Sequence, residues 1–188
     1  TAMNQYVSYY WTKLAMARGG QDTQAQIVKW VMGNSGLVGT YSYSDTVPHS
    51  RKYPLESRIW YQYPGQDPAG SGGAVGWYIS PSKTARVLDD GSSQVSEETF
   101  NDLGHTTSKT DPLGRRTSYT YAANGIDLLE VRQTTGTLND LLVSYGNYST
   151  GHLPQTITDA AGQTTTLTYT AVGRVLTVTN AKNETTTY

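Results

Sequence analysis

The chain lacks cysteine altogether and is poor in charge and in phenylalanine. None of its 188 residues is cysteine, one is phenylalanine, and the charged residues make up 15%. Without cysteine the chain cannot form a disulfide scaffold or a cysteine-ligated metal site. The charged fraction is well below the ~25% typical of globular domains, which argues against coiled coils and long surface helices.

Long apolar runs and clusters of basic residues are also missing. No apolar run approaches the roughly 20 residues that a membrane-spanning helix needs. No basic segment followed by an apolar one indicates a signal peptide. The 14 basic and 15 acidic residues are dispersed, which argues against a nucleic-acid face. The chain begins at Thr1 and stops inside a patterned segment, so we expect a fragment in which a missing targeting signal means little.

Threonine, tyrosine and glycine are abundant instead. The chain has 28 threonines, 15 tyrosines and 19 glycines, together a third of its residues. Threonine and tyrosine suit the pleated, half-buried surface of a β-sheet, whereas glycine suits turns. The aromatic residues are too many for charge-rich disorder. The composition therefore predicts an all-β protein.

An internal repeat occupies residues 97–188. Residues 111–121 and 159–169 share Asp, Gly, Thr and Tyr at an offset of 48. This offset halves, because Tyr121, Tyr145 and Tyr169 lie 24 residues apart, and Phe100 lies 21 residues before Tyr121. Each aromatic is followed by a glycine four or six residues later, namely Gly104, Gly125, Gly151 and Gly173. The spacing predicts about four units of 21 to 24 residues.

Each unit has the pattern of a β-hairpin. Residues 116–121 alternate, with Tyr119 and Tyr121 on one face, and residues 164–169 place Leu167 and Tyr169 on one face with threonine on the other. Asn124 and Gly125 predict a tight turn, and a second strand follows at residues 128–131. A single hairpin is marginal in water, so we expect successive hairpins to stack into one sheet.

Residues 1–96 show the same β bias without a repeat. We expect strands at residues 5–11, 39–43, 58–63 and 76–80, and a loop at residues 66–73. Residues 22–32 fit a capped helix or a strand, and we favour the strand because its neighbours have β patterns.

The repeats resemble the Rhs repeat, also called the YD repeat. Residues 100–105 and 111–121 contain that family's aromatic pair, turn glycine and Thr-rich strand, and residues 159–173 fit similarly. The resemblance covers residues 97–188, and residues 54–65 are similar to a segment upstream of such repeats in some bacterial Rhs-like proteins. This chain departs from the pattern at Phe100-Asn101, which replaces Tyr-Asp, and in having Arg after the hairpin glycine only at Gly173.

The resemblance implies a fold. In bacterial Rhs proteins, Tc toxin subunits and teneurins, such repeats form a long sheet that spirals into a hollow shell. We therefore expect consecutive antiparallel β-hairpin repeats in a curved open sheet, a section of a shell, at residues 97–188, with an irregular β-rich segment at residues 1–96. The expected repeat-defining structural residues are Phe100, Gly104, Asp111, Gly114, Tyr121, Gly125, Tyr145, Gly151, Asp159, Gly162, Tyr169 and Gly173.

The resemblance also implies a structural role. The family's shells enclose a toxic domain or present a cell-surface scaffold, so the expected function is a non-catalytic wall segment of a bacterial secreted or surface protein. Its expected partners are the rest of the same repeat array and an enclosed toxin domain. The shell's self-cleaving end carries Asp-Pro-x-Gly motifs, but the residues after Asp111-Pro112-Leu113-Gly114 favour a plain turn.

Two other function classes remain open. An adhesin-like module would bind a glycan or a cell-surface protein through exposed Tyr and Trp, because aromatic rings give a large contact area with a polar handle. A hydrolase on a β scaffold would need a convergent acid–base pair, and none is visible. The Gly-rich run at residues 70–76 is out of register for a dinucleotide loop, and the histidines lack metal-ligand spacing. No catalytic, cofactor or metal site is expected.

Overall fold

The computed structural model describes residues 7–34, 42–66 and 79–188 of the chain. These residues form fourteen strands, and the hydrogen-bonding order of the strands is the order of the chain, β1 to β14. Neighbouring strands run antiparallel in an open sheet, which confirms the expected all-β class of consecutive hairpins. The chain divides into two compact units, Thr1–Glu97 and Glu98–Tyr188.

The first unit contains the earlier strands and two short helical turns. Its strands are β1 Val7–Tyr10, β2 Gln26–Asn34, β3 Ser42–Lys52, β4 Ile59–Gln62, β5 Lys83–Val87 and most of β6 Ser93–Phe100. Helix α1, Lys13–Ala17, follows β1 and begins at Thr12, whose hydroxyl accepts a hydrogen bond from the Ala15 amide at 3.1 Å. A 3-10 turn, Asp22–Gln24, precedes β2.

Several expectations for the first unit can be compared with these strands. The strand alternative for residues 22–32 is confirmed from Gln26 onward, and the strand expected at residues 58–63 is β4. Helix α1 was not expected. Of the strands expected at residues 39–43 and 76–80, residues 39–41 and 76–78 lie outside the described residues, and the remaining Ile79 and Ser80 are not in a strand. The loop expected at residues 66–73 is described only at Gln66, which is irregular.

A small core lies between β2, β3 and the end of β4. Val31, Val47 and Tyr63 are buried there, with Tyr61 packed against them. The Tyr63 hydroxyl donates a hydrogen bond to the Pro48 carbonyl at 2.8 Å, which satisfies the polar end of a buried ring. These residues alternate along their strands, so the core is the inward face of the first unit's sheet.

The second unit consists of successive hairpins. After the end of β6, its strands are β7 Thr106–Thr110, β8 Arg116–Tyr121, β9 Leu128–Thr135, β10 Leu138–Tyr148, β11 Pro154–Asp159, β12 Thr164–Tyr169, β13 Val175–Thr179 and β14 Thr185–Thr187. The hairpins are β7–β8, β9–β10, β11–β12 and β13–β14, one for each of the four units expected from the spacing.

One turn geometry recurs in this unit, and we call it the capped turn. In residues 159–163, the Asp159 amide donates to the Gln163 carbonyl at 3.1 Å, and the Gly162 amide donates to the Asp159 carbonyl at 3.0 Å. The Asp159 carboxylate accepts the amides of Ala161 and Gln163, both at 2.9 Å. The same pattern of backbone and side-chain hydrogen bonds begins at Asn101, Asp111 and Asn180.

The fourth residue of the capped turn has a left-handed backbone. Gly162 has φ of +78°, and an added Cβ would meet no atom within 4 Å. Space is therefore available, and the glycine is required by its backbone conformation. Asn183 takes the same place in the turn from Asn180, with φ of 63°, because asparagine tolerates this region better than most residues.

Tyrosine hydroxyls close the other ends of three hairpins. Tyr121, the last residue of β8, donates to the carbonyl of Thr106, the first residue of β7, at 3.1 Å. Tyr169, the last residue of β12, likewise donates to Pro154, the first residue of β11, at 2.6 Å. In the hairpin β9–β10 the donor is Tyr148 and the acceptor is the Leu128 carbonyl. Each of these hairpins is therefore hydrogen-bonded at its turn and at its open end.

The two faces of the second unit's sheet differ in polarity. In β12, Leu167 and Tyr169 are half-buried while Thr164, Thr166 and Thr168 are exposed, which matches the expected alternation. Thr168 pairs with Thr177 across the strands, and their hydroxyls lie 2.6 Å apart. The Thr158–Thr164 and Thr179–Thr185 hydroxyl pairs lie 2.9 Å and 2.8 Å apart. Threonine therefore forms cross-strand hydrogen bonds on the exposed face.

We expect Gly162→Ala to lower the free energy of unfolding by about 1–2 kcal/mol, because alanine resists the left-handed region. Gly162→Asn should lose less, since Asn183 holds the equivalent conformation. Gly151→Ala is the matched control: Gly151 has no positive φ, and its nearest neighbouring atom would lie 3.8 Å from the new Cβ. Urea unfolding of the three variants measures the difference, and equal losses for Gly162→Ala and Gly151→Ala would contradict the assignment.

We expect Tyr169→Phe to cost about 1 kcal/mol, the usual net value of one intramolecular hydrogen bond. Tyr145→Phe is the control, because the Tyr145 hydroxyl makes no hydrogen bond with any of the residues that the structure describes. Chemical denaturation of both variants tests this, and a larger loss for the control would show that the hydroxyl of Tyr169 does not close its hairpin.

We also expect an acid-sensitive contribution from Asp111. The Arg115 side chain and then the backbone amides of Arg115 and Leu113 hold its pKa below the ordinary 3.8, although burial opposes them. A carboxylate with a lowered folded-state pKa stabilises the fold above the ordinary value, and this stability is lost as the pH falls through the folded-state value. Asp111→Asn keeps the turn acceptor and removes the titration.

The stability difference between the original chain and Asp111→Asn should therefore shrink as the pH falls from about 6 to about 2. Thermal unfolding followed by circular dichroism at a series of pH values gives this difference directly. A difference that stays constant over the whole series would mean that Asp111 does not titrate between the folded and unfolded states as proposed.

Candidate functional site

Four turns of the second unit lie at one edge of its sheet, which we call the turn edge. They are residues 101–105, 122–127, 149–153 and 170–174, and each joins two successive strands. Asn101 Nδ2 and His105 Nδ1 both donate to the Gly125 carbonyl at 2.8 Å, which joins the first turn to the second. The side chain of Leu103 packs on the same glycine, where an added Cβ would lie 3.1 Å away.

The second and third turns of the turn edge are joined by an ion pair. His152 Nδ1 lies 2.8 Å from Asp127 Oδ1, and the Asp127 side chain is 12% exposed. Burial alone would raise the pKa of Asp127, but hydrogen bonds from Asn124 and His152 outweigh it and leave the pKa lowered. The contact explains how His152 is held at φ of 59°, a conformation that a histidine rarely adopts.

A groove lies on the second unit beside the turn edge, and we call it the aromatic groove. Its volume is about 420 Å³. Its lining residues are Glu98, Gly104, His105, Thr106, Lys109, Tyr119 and Tyr121. The rings of His105 and Tyr121 stack with centroids 5.6 Å apart and an interplanar angle of 26°.

The charged groups of the aromatic groove pair with each other. Lys109 Nζ lies 2.7 Å from the Glu98 carboxylate, whose hydrogen bond and charge raise the pKa of Lys109. Burial raises the pKa of Tyr121, so its hydroxyl keeps its proton and continues to donate to Thr106. These groups can stack and hydrogen-bond, but they do not form a nucleophile activated by an adjacent base.

A second aromatic cluster lies on the first unit around Trp60. The His49 ring meets Trp60 edge-on at 5.4 Å, and the Arg58 guanidinium lies 5.7 Å from the Trp60 ring centre. Arg58 also donates to the buried Ser50 hydroxyl at 3.0 Å. Burial, then the charges of Lys29 and Arg58, lower the pKa of His49. A neutral imidazole packed against Trp60 suits a structural contact.

Neither cluster is a metal centre. In residues 7–34, 42–66 and 79–188, no three side chains of His, Cys, Asp or Glu come together as metal ligands. Within the same residues, no helix is long and apolar enough to cross a membrane.

Most residues expected to define the repeat occupy turns or strand ends. Asp111 and Asp159 cap their turns, and Phe100, Tyr121 and Tyr169 each end a strand. The glycines with a left-handed backbone are Gly104, Gly114, Gly125, Gly162 and Gly173.

The middle hairpin differs from the expected spacing at two places. Tyr145 lies inside β10, opposite Ile157, and the strand-end hydroxyl comes from Tyr148. In the following turn the left-handed residue is His152, one after Gly151. Both positions lie 48 residues after their counterparts, Phe100 and Gly104. The full offset of 48 therefore identifies Tyr148 and His152, whereas its half does not.

The Rhs repeat family model matches residues 100–137 and 148–185. The two matches start at Phe100 and Tyr148, the aromatics that end β6 and β10. No curated protein matches the chain closely enough to count as a relative.

Solved structures with a similar fold come from Tc toxins. The structure titled "Crystal Structure of TcdB2-TccC3-Cdc42" has a TM-score of 0.56 at 10% identity, covering 98% of this chain and 10% of that one. "Crystal Structure of TcdB2-TccC3 without hypervariable C-terminal region" has a TM-score of 0.54 at 10% identity, covering 84% and 9%. A Photorhabdus luminescens Tc holotoxin pore has a TM-score of 0.50 at 10% identity, covering 87% and 10%.

These likenesses show the fold alone, since the identity is 10%. The chain spans about a tenth of the length of the solved chains that it matches. The capped turns, the sequential hairpins and the two matches to the family model agree in register and in fold. The chain is therefore a section of an Rhs/YD-repeat array and belongs to the Rhs/YD-repeat family.

Proposed function

We propose that this chain is a non-catalytic wall segment of a shell that encloses a toxin domain, in a bacterial secreted or cell-surface protein. The observation that supports this most strongly is the combination of hairpins closed at both ends and turns bonded to one another along the turn edge. Such hairpins hold their own shape and still stack in one direction, which a wall requires.

The burial of the second unit supports the same role. Among residues 98–188, all of which the structure describes, Ser108 is buried, and the other side chains are half-buried or exposed. A sheet with so little core of its own depends on strand pairing and on neighbouring repeats for stability. This arrangement favours a layer within a larger assembly over an independent catalytic domain.

The last strand offers a place for the next repeat. β14, Thr185–Thr187, pairs with β13 on one side, and all three of its residues are exposed. An exposed strand edge presents unpaired amides and carbonyls, which another hairpin can satisfy. We therefore propose that the partners of this chain are further repeats of the same array, with the enclosed toxin domain inside.

Electron cryomicroscopy of the complete protein that carries this chain tests the proposal. We expect a hollow shell with residues 97–188 as consecutive hairpins of its wall, and an enclosed domain that resists protease until the shell is opened. A compact or rod-like particle without an internal cavity, or an enclosed domain that is digested as fast as the free one, would contradict the proposal.

A pair of substitutions in the complete protein sharpens this test. Gly162→Ala weakens a turn of the wall, so the enclosed domain should become accessible to protease at a lower temperature than in the unsubstituted protein. Gly151→Ala, which needs no left-handed backbone, should leave that temperature unchanged. Equal protection in both variants would show that this turn does not support the shell.

A further inference from the structure

We propose that the aromatic groove binds a small neutral saccharide. Its volume of about 420 Å³ lies near the lower end of the range for ligand pockets, which is roughly 300–1,000 Å³. It combines tyrosine and histidine rings with a few polar groups, which is the usual make-up of a small-molecule site. The groove lies wholly within the second unit.

The floor of the groove is fixed before any ligand arrives. The Tyr121 ring is held by its hydroxyl, which donates to the Thr106 carbonyl at 3.1 Å, and by stacking on His105. The ring of His105 is held in turn by its hydrogen bond to Gly125. Rings that are already immobile lose little conformational entropy on binding, which favours the ligand.

The histidine presents a hydrogen-bond acceptor to the groove. A carbonyl oxygen only accepts, so His105 Nδ1 must donate to Gly125 and carry the ring's hydrogen. In the neutral imidazole, Nε2 is then left as an acceptor, which a ligand hydroxyl can satisfy. The Tyr119 hydroxyl, which both donates and accepts, has no hydrogen-bond partner among the residues that the structure describes.

The charge of the groove favours a neutral ligand. Lys109 and Glu98 neutralise each other at 2.7 Å, so the lining carries no excess of either sign. A charged ligand would have to displace one of them and leave the other unpaired. A saccharide has hydroxyls that match His105, Tyr119 and the ion pair, and apolar ring faces that stack on tyrosine.

Titration of the full chain with glucose, galactose, N-acetylglucosamine and maltose, followed by amide chemical shifts, tests this proposal. We expect at least one of them to bind with a dissociation constant on the order of 1 mM. The shifts should be concentrated at residues 98–109 and 117–121. No shift with any of the four at about 50 mM, or shifts spread over both units, would overturn the proposal.

Substitutions locate the binding. Tyr119→Ala should weaken it about fivefold or more, by loss of ring contact and hydroxyl. Tyr145→Ala, a tyrosine on β10 outside the groove, should leave it unchanged. Equal weakening by the two variants would overturn the proposal. Because Tyr119→Ala could unfold the sheet, Tyr119→Phe, which removes only the hydroxyl, is tested alongside it and should also bind more weakly.

Glu98→Gln examines the charge argument without changing the shape of the groove. It leaves Lys109 unpaired, so the preference should shift from glucose toward glucuronate, its anionic counterpart. An unchanged preference would show that the ion pair does not select a neutral ligand. The outcome is independent of the shell proposal, because a wall segment needs no saccharide.

Discussion

The second unit depends on one local constraint, the left-handed residue at the fourth place of each capped turn. That conformation allows the first residue of the turn to bond the fifth through the backbone while its side chain accepts two amides. Where glycine occupies this place, the conformation costs little, and the hairpin closes from local sequence alone. Strand pairing then follows, because the turn sets which residues face each other across the hairpin.

The tyrosine at each strand end follows from the same register. Once a capped turn fixes the pairing of β11 with β12, the last residue of β12 lies beside the first residue of β11, and the Tyr169 hydroxyl reaches the Pro154 carbonyl. The turns of the turn edge come next to one another as the hairpins stack, so their side chains can bond across turns. Residues that look like separate repeat markers in the sequence are therefore parts of one hydrogen-bonded arrangement.

Much of this arrangement could be predicted from the sequence because the hairpins are local. The alternation of Leu167 and Tyr169 with threonine, and the turn glycines Gly114 and Gly162, follow from spacing and residue type alone. Tyr145 was a less reliable guide because β9 and β10 are longer than their counterparts, so half of the offset no longer points to equivalent residues. The contacts between turns, such as Asp127 with His152, join residues 25 apart, and no local pattern encodes them.

The aromatic groove shows how a structural repeat can create a binding surface without a dedicated motif. His105 follows a turn glycine and bonds to the next turn, which orients its ring against Tyr121. Tyr119 lies two residues earlier on the same strand and therefore on the same face as Tyr121. The hydrogen bonds that hold the wall together thus also fix the floor of the groove, and the free Nε2 of His105 and hydroxyl of Tyr119 are what the wall leaves unused. A saccharide would use those groups without breaking any contact on which the sheet depends.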